Sequence, residues 1–412
     1  MIDLKAARAD PDTFREAIAR KGGEKIFDEL MRADEEWRRL QTQVDELRAR
    51  TKLKGKPTPE QLEELTRIKG ELKALEDELD RTKTAMQQHW DRVPNPPDAS
   101  VPDGLDEDDA VEIKRWGEPR DFGFEPQDHL DLATKLGWID TERAARLSGT
   151  RFVYRVGDFA LAELALYRFA LDRLVQKGFV PLLPPVIVRE QAMYGTGFLP
   201  TDEVNIYRIE RDDLYLTGTS EVGLAAFHMD ERLDAADLPL RYAGYSTCFR
   251  REAGAASKDT RGMFRVHQFD KVEMFSYVLP EDSPGEHEHL LAIEEELVQE
   301  LGIPYRVVNV AAGDLGLGAA KKYDIEAWFP GQQRYREITS TSNTTDFQAR
   351  RLGIRYKPEQ GGPQEVHTLN GTAVTARSLI AILENFQDED GSVALPAVLE
   401  RYGAPSRVGA SG

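Results

Sequence analysis

The chain has a single cysteine, Cys248, in 412 residues. It can therefore form no internal disulfide and no cysteine-rich zinc site, and a reducing compartment is expected. Long hydrophobic runs are missing as well. Nothing approaches the roughly 18 consecutive apolar residues of a spanning helix, and the N-terminus, MIDLKAARADPDTFREA, lacks the apolar centre of a signal peptide. No membrane partner and a cytoplasmic location are expected. Nor is there an excess of positive charge. A net charge of −19 argues against a protein that coats nucleic acid, because such binding rests on neutralising many phosphates. What remains, 40% hydrophobic and 31% charged, is ordinary for a soluble globular chain with room for two or three domains.

Positive charge is concentrated in one place. Residues 47–59, LRARTKLKGKPTP, carry Arg48, Arg50, Lys52, Lys54 and Lys56 and no acid. On either side lie seven-residue apolar repeats: Leu30, Trp37 and Val44 with Ala33, Leu40 and Leu47, then Leu65, Leu72, Leu79 and Met86 with Ile68 and Leu75. Gly55 to Pro59 separates them, which predicts an antiparallel helical coiled coil over about 27–93, with its tip at about 52–59. On its own such an arm reads as a spacer with a solvated tip. Residues 94–110, PNPPDASVPDGLDEDDA, hold four prolines and a run of acids with little to pack, and are expected to be a linker between an arm at 1–100 and a domain at 111–412. In the latter, Phe159–Gln176 and Glu286–Leu301 read as amphipathic helices. Strand-like segments between them predict an α+β fold, helices flanking a mainly antiparallel sheet.

The most informative segment is CFRREAGAASKDTRGMFRVHQFDKVEMF, from Cys248 to Phe275. Aromatic and β-branched residues at Tyr245–Glu252 and Met263–Val278 flank a small, polar stretch, Ala253–Gly262, so two antiparallel strands and a long loop are expected. A period of two puts Arg250 and Glu252 on one face of the first strand, and Phe269, Lys271 and Glu273 on one face of the second. A guanidinium suits phosphate oxygens, a carboxylate can accept from an exocyclic amine, and an aromatic ring can stack on a base. These needs meet in ATP. A charged hairpin whose exposed face merely alternates is the plain alternative.

This segment resembles the second motif of the class II aminoacyl-tRNA synthetases, and its wording is similar to that of their seryl branch. Gly178-Phe179 with Pro185 in GFVPLLPPVIV resembles the first motif, which in the family builds the dimer interface. Asn370-Gly371-Thr372, Arg377 and Glu384-Asn385 resemble the third. Thr217-Gly218-Thr219-Ser220-Glu221 and Glu337-Ile338-Thr339-Ser340 resemble the seryl branch in particular, and the likeness spans essentially the whole chain.

The resemblance implies ATP-dependent activation of L-serine to seryl-adenylate and its transfer to the 3′ end of tRNA(Ser), and of tRNA(Sec) where present, by a homodimer. It assigns ATP to Arg250, Arg251, Glu252, Val266, Phe269, Glu337, Ile338, Thr339, Ser340 and Arg377. Arg250 would hold the α-phosphate, Glu252 the adenine amine, and Phe269 the adenine face. Glu337 and Ser340 would hold Mg²⁺, which prefers such oxygen donors, and no zinc is implied. Serine falls to Thr219, Ser220, Glu221, Arg250, Glu273, Asn370 and Thr372, with Thr219 and Glu221 expected on one face of a short strand. A site that bonds the serine hydroxyl rejects alanine by leaving buried partners unpaired. The arm would grip serine tRNA by shape and phosphate contacts, through Arg48, Arg50, Lys52, Lys54 and Lys56, with Lys258 and Arg261 near the acceptor end. Two other readings stay open: a noncatalytic RNA-binding protein of the same fold, and a paralogue that delivers activated serine to a non-tRNA acceptor.

Other signals carry less. Gly313–Gly318 lacks the full spacing of a phosphate loop and reads as a turn. His287 and His289 are two apart on a helix and make a poor metal pair.

Overall fold

The computed structural model describes residues 1–52, 58–253 and 263–409. The expectations at Lys54, Lys56, Lys258 and Arg261 lie outside the described residues. The chain forms two compact units, Met1–Pro97 and Asp98–Gly412.

In the first unit two short helices, α1 (Leu4–Ala9) and α2 (Pro11–Ala19), precede the long α3 (Glu24–Arg50) and α4 (Pro59–Trp90). Helix α4 starts where its sequence dictates. Thr58 accepts from the Gln61 amide, Gln61 accepts from the Thr58 amide at 2.9 Å, and Pro59 occupies the first turn. At roughly 1.5 Å per residue, the 27 and 32 residues of α3 and α4 make rods of about 40 and 48 Å. Leu40, Val44 and Leu79 close the seam between them. The base is held by a larger apolar cluster that includes Ile2, Leu4, Ile18, Phe27, Leu30, Met86 and Val93. The heptads marked only Leu30 and Met86 of it, since half of it comes from α1, α2 and the chain's first residues.

A carboxylate sits within this base. Asp34 is fully buried and is bonded by Arg8 from α1 and by Arg38 Nε at 2.9 Å. Removing one partner of such a buried ion set leaves charge uncompensated. Asp34→Ala is therefore expected to destabilise the chain by about 2–4 kcal/mol, seen as a lower urea midpoint of helix loss. An unchanged midpoint would show that Asp34 only tolerates its burial.

The second unit is built on an eight-stranded sheet: β1 (Val111–Trp116), β2 (Val180–Leu182), β3 (Leu240–Phe249), β4 (Gln268–Val278), β5 (Tyr305–Asn309), β6 (Lys321–Phe329), β7 (Arg334–Thr345) and β8 (His367–Thr375). Its order is β1-β5-β6-β7-β8-β4-β3-β2, antiparallel at every junction except β2–β3. Helices α5 (Asp158–Gln176), α7 (Ser283–Glu300) and α8 (Ala376–Asn385) bury one face in the main core, with Phe169, Leu290, Leu297, Leu379 and Leu383 against Val272, Met274, Ile325 and Val374. Cys248, on β3, is fully buried. The expected α+β class, with helices on a mainly antiparallel sheet, is the observed one. Among the described residues no helix is long and apolar enough to cross a membrane.

Three local expectations change. Helix α7 is less amphipathic than its sequence suggested, because Glu286, Glu294 and Glu295 are buried along with its apolar residues. Strand β3 ends at Phe249 and β4 begins at Gln268, so Arg250, Glu252 and Met263–His267 lie beyond the paired strands. The proline-rich stretch does pack. Val101 joins a small core with Val310, Ala312, Leu315 and Ala319, and the Asp98 amide donates to Ala320 O while Pro102 O and Gly104 O accept from Ala312 and Gly313. Its few apolar residues suffice because backbone bonds supply the remaining contacts.

Candidate active site

The face of the sheet opposite the helices holds a cavity of about 500 Å³. Which side chains reach it is decided by two β-bulges. Between β6 and β7 the register steps from Ile325↔Thr339 to Glu326↔Glu337, leaving Ile338 extra. Strict alternation would put Glu337 on the same face as Thr339; the added residue brings it to the face of Ser340 and Ser342. Between β4 and β8 the register steps from Val272↔Val374 to Glu273↔Thr372, leaving Ala373 extra, so Thr372 and Thr375 both face the cavity opposite Glu273 and Lys271.

At one end stand Arg250, Glu252, Phe269 and Arg377. Arg250 is held although its strand has ended. Its amide donates to His267 O at 2.9 Å, its carbonyl meets His267 Nδ1 at 2.9 Å, and its Nε donates to Gly218 O at 3.1 Å. Its guanidinium lies 5.3 Å from the Phe269 ring centroid. Glu252, with positive φ, accepts from Arg265 Nη1 at 2.8 Å. Arg377 stacks on Phe264 at 4.6 Å and reaches Glu337 at 3.3 Å. Burial alone would push the Glu337 carboxyl up, but Arg377, Lys322 and Arg250 outweigh it and hold the group below the usual carboxylate range.

At the other end Glu221, Glu273, Asn370 and Thr372 converge with Thr219. Glu221 is not on a strand as expected: it opens a short helix, α6 (Glu221–Ala225), and its amide donates to Thr219 Oγ1 at 3.2 Å. Its Oε1 accepts from Gln348 at 2.7 Å and Asn370 at 3.0 Å. Burial, and then the charge of Glu273, push its carboxyl up to about 7 against the opposing pull of Lys271, Gln348 and Arg250.

This arrangement can be set beside known proteins. Residues 1–97 match the seryl-tRNA synthetase N-terminal domain, and residues 205–386 match the core domain of class II tRNA synthetases for G, H, P, S and T. The serine–tRNA ligase of Streptomyces coelicolor is 50% identical over 98% of this chain and 97% of its own length; that of Beutenbergia cavernae is 49% identical over 98% of both. The chain belongs to the seryl-tRNA synthetase family. A crystal structure of the seryl-tRNA synthetase from Pyrococcus horikoshii, complexed with ATP, superposes with a TM-score of 0.94 at 43% identity over all of both chains. The cytoplasmic serine–tRNA ligase from Naegleria fowleri, in complex with AMP, gives 0.89 at 35% identity, covering 98% of this chain and 96% of that one.

Of the positions that the seryl-tRNA synthetase motifs single out, Thr219, Glu221, Arg250, Glu252, Val266, Phe269, Glu273, Glu337, Ile338, Ser340, Asn370, Thr372 and Arg377 all line the cavity. Three do not. Arg251 is exposed, with its amide bonded to Asn205 O at 2.9 Å. Ser220 is buried against Ser246 at 2.8 Å, and Thr339 faces α7, donating to Glu294 at 3.1 Å. Alternation accounts for Thr339, and the turn into α6 for Ser220. On the arm, Arg48 and Arg50 pair with Glu76 at 2.7 Å and Glu64 at 3.0 Å yet stay half exposed, and Lys52 is exposed.

Several lining residues were given no role by the sequence: Lys271, although placed on one face with Phe269 and Glu273, and Phe264, Arg265, Lys322, Gln348, and Asp314 with Gly316–Ala319. The last stretch, rightly read as a turn, nonetheless walls the cavity. Gln348 carried a signal, since it stands within the DFQARR string next to the Glu337 motif. Away from the cavity, Asp128, His129 and Glu384 have metal-ligand proximity, but Glu384 already accepts from the His129 ring at 2.7 Å and from the Gly331 amide at 2.9 Å. These bonds fasten the third motif's helix.

Gly371 marks where this packing has no slack. A Cβ there would meet Glu294 Oε1 at 2.9 Å, Met274 Cε at 3.0 Å and Thr341 Oγ1 at 3.2 Å. Gly371→Ala should cost about 1–3 kcal/mol and raise the serine KM through its neighbours Asn370 and Thr372. A wild-type melting temperature together with a wild-type KM would contradict this.

Proposed function

We infer that this chain activates L-serine with ATP and passes it to tRNA, and that both reactants of the first step meet in the one cavity. The observation that carries the reading is the sorting of its wall: stacking and phosphate-binding groups at one end, and acceptors for an ammonium group with hydroxyl partners at the other, bridged by Arg250.

ATP would lie with adenine on Phe269, its exocyclic amine donating to Glu252, which Arg265 holds in place. Arg377, fixed by Phe264 and Glu337, would meet the distal phosphates or close over the base. Arg250 would neutralise the α-phosphate as the serine carboxylate attacks and pyrophosphate leaves. Such preorganised charge, with the positioning of the two reactants, supplies most of the acceleration for phosphoryl chemistry of this kind. Glu221 and Glu273 would receive the serine ammonium, and Thr372 with Asn370 its hydroxyl; threonine would be refused for lack of room.

Mg²⁺ fits the donors present. Glu337 is kept ionised and lines the cavity together with Ser340, a pair of hard oxygen donors that would hold the ion. When bound, the ion would supply positive charge that offsets the charge of the ATP phosphates.

A homodimer is proposed through the edge strand β2 and helix α5, where Leu161, Leu164, Val180 and Leu183 are exposed despite their apolar character. Arg48, Arg50 and Lys52 on the arm would supply phosphate contacts to tRNA(Ser), since exposed ion pairs exchange partners at small cost. A cytoplasmic location fits these substrates.

Arg250→Ala should lower serine-dependent ATP–pyrophosphate exchange by about 10²–10³-fold while leaving tRNA binding intact; equal exchange in the variant would refute its role. The pH profile offers a second check. Glu221 is charged above a pKa of about 7 in the free protein and loses that charge as pH falls, so kcat/KM for serine should decline below about pH 7. A flat profile down to pH 6 would remove Glu221 from ammonium binding.

A further inference from the structure

Lys271 has no part in the scheme above, yet it lies at its centre. Its side chain is only 7% exposed and is ion-paired with Glu273, which is 2% exposed, two residues further along β4 on the same face. Glu221 approaches from α6 and senses both charges. The other ionisable groups around this point are Arg250 beyond the end of β3, the buried Cys248 thiol within β3, and Glu294 beneath the sheet on α7.

Two carboxylates enclosed this closely repel each other, and without a cation one of them would retain a proton. Lys271, paired with Glu273, supplies that cation. An amino acid brings its own ammonium to the same acids and, with it, a carboxylate that needs a positive partner. A lysine ammonium on a flexible four-carbon stem can change partners without moving its strand.

We propose that Lys271 holds the place of the substrate ammonium beside Glu273 and moves across to the substrate carboxylate when serine binds. Before binding, Lys271 is paired with Glu273 and its charge also acts on Glu221. Afterwards the substrate ammonium faces Glu221 and Glu273, and Lys271 joins Arg250 at the carboxylate that will attack phosphorus. Every charge then has an opposite neighbour, whereas an uncharged or singly charged amino-acid analogue leaves one unmatched.

This rests on the serine reading of the cavity, and the test separates the two. Binding of L-serine and of L-serinamide, which keeps the ammonium and hydroxyl but has no carboxylate, is measured by calorimetry on the full-length wild type, Lys271→Met and Lys271→Arg. Lys271→Met should weaken serine by about 10- to 100-fold and serinamide by much less, and should move the acid limb of kcat/KM for serine to higher pH, because Glu221 loses a neighbouring cation. Lys271→Arg, which keeps the charge, should preserve most of the preference for serine over serinamide, and it carries the comparison if the Met variant does not fold. Equal weakening of both ligands would make the Lys271–Glu273 pair purely structural and overturn the proposal, as would no weakening of either. A wild type that binds serine while the variants keep its ligand ratio defeats only the Lys271 role; a wild type without serine-dependent exchange defeats the serine reading itself.

Discussion

Two unpaired residues, Ile338 on β7 and Ala373 on β8, set the chemistry of the cavity. A strand without bulges offers every second side chain to one face, and the residues around them do not fit that alternation. Inserting one residue in each strand reverses the phase locally. Glu337 then stands beside Ser340, and Thr372 comes into line with Thr375 and Glu273. The lost ladder bonds are the cost of gathering polar groups from β4, β7 and β8 on one surface while the opposite face stays apolar against α5, α7 and α8.

Charge balance follows from that convergence. Arg250, Arg377 and Lys322 surround Glu337, while Lys271 is paired with Glu273 and its charge also acts on Glu221. Where cations dominate, the acid stays ionised. Where two acids share one cation and little solvent, one of them is pushed towards neutrality. The same residue type thus has different proton affinities at the two ends of a single cavity, set by its neighbours. Glu294, sealed under Gly371 with one bond from Thr339, is the extreme: burial pushes its carboxyl far above the usual range.

Much of this was legible in the sequence. Heptads identified α3 and α4, alternation identified β3 and β4, and ordered motifs identified most of the cavity wall. What escaped has physical reasons. A bulge leaves no mark in hydrophobic periodicity, so the facing of Glu337 relative to Thr339 could not be read from a period of two. Glu221 was assigned to a strand because Thr219 and Glu221 alternate as they would there; the helix that begins at Glu221 is too short to show a period of its own. The docking of α1 and α2 on the arm's base depends on contacts between Arg8 and Asp34, 26 positions apart, which local pattern does not register. The packing of residues 98–105 was missed because composition counts side chains, and this segment is fastened chiefly by its backbone.

The solitary thiol has a practical side. Cys248 lies inside β3 with no exposed surface, and burial raises its pKa, so little of it is present as the reactive thiolate. The natural protein is in effect blank to maleimide and similar reagents while folded. A cysteine introduced at an exposed position, such as Leu62 on α4, would be the one reachable thiol in the molecule. A dye or spin label could then report on the arm from a single known point, with no native residue removed first.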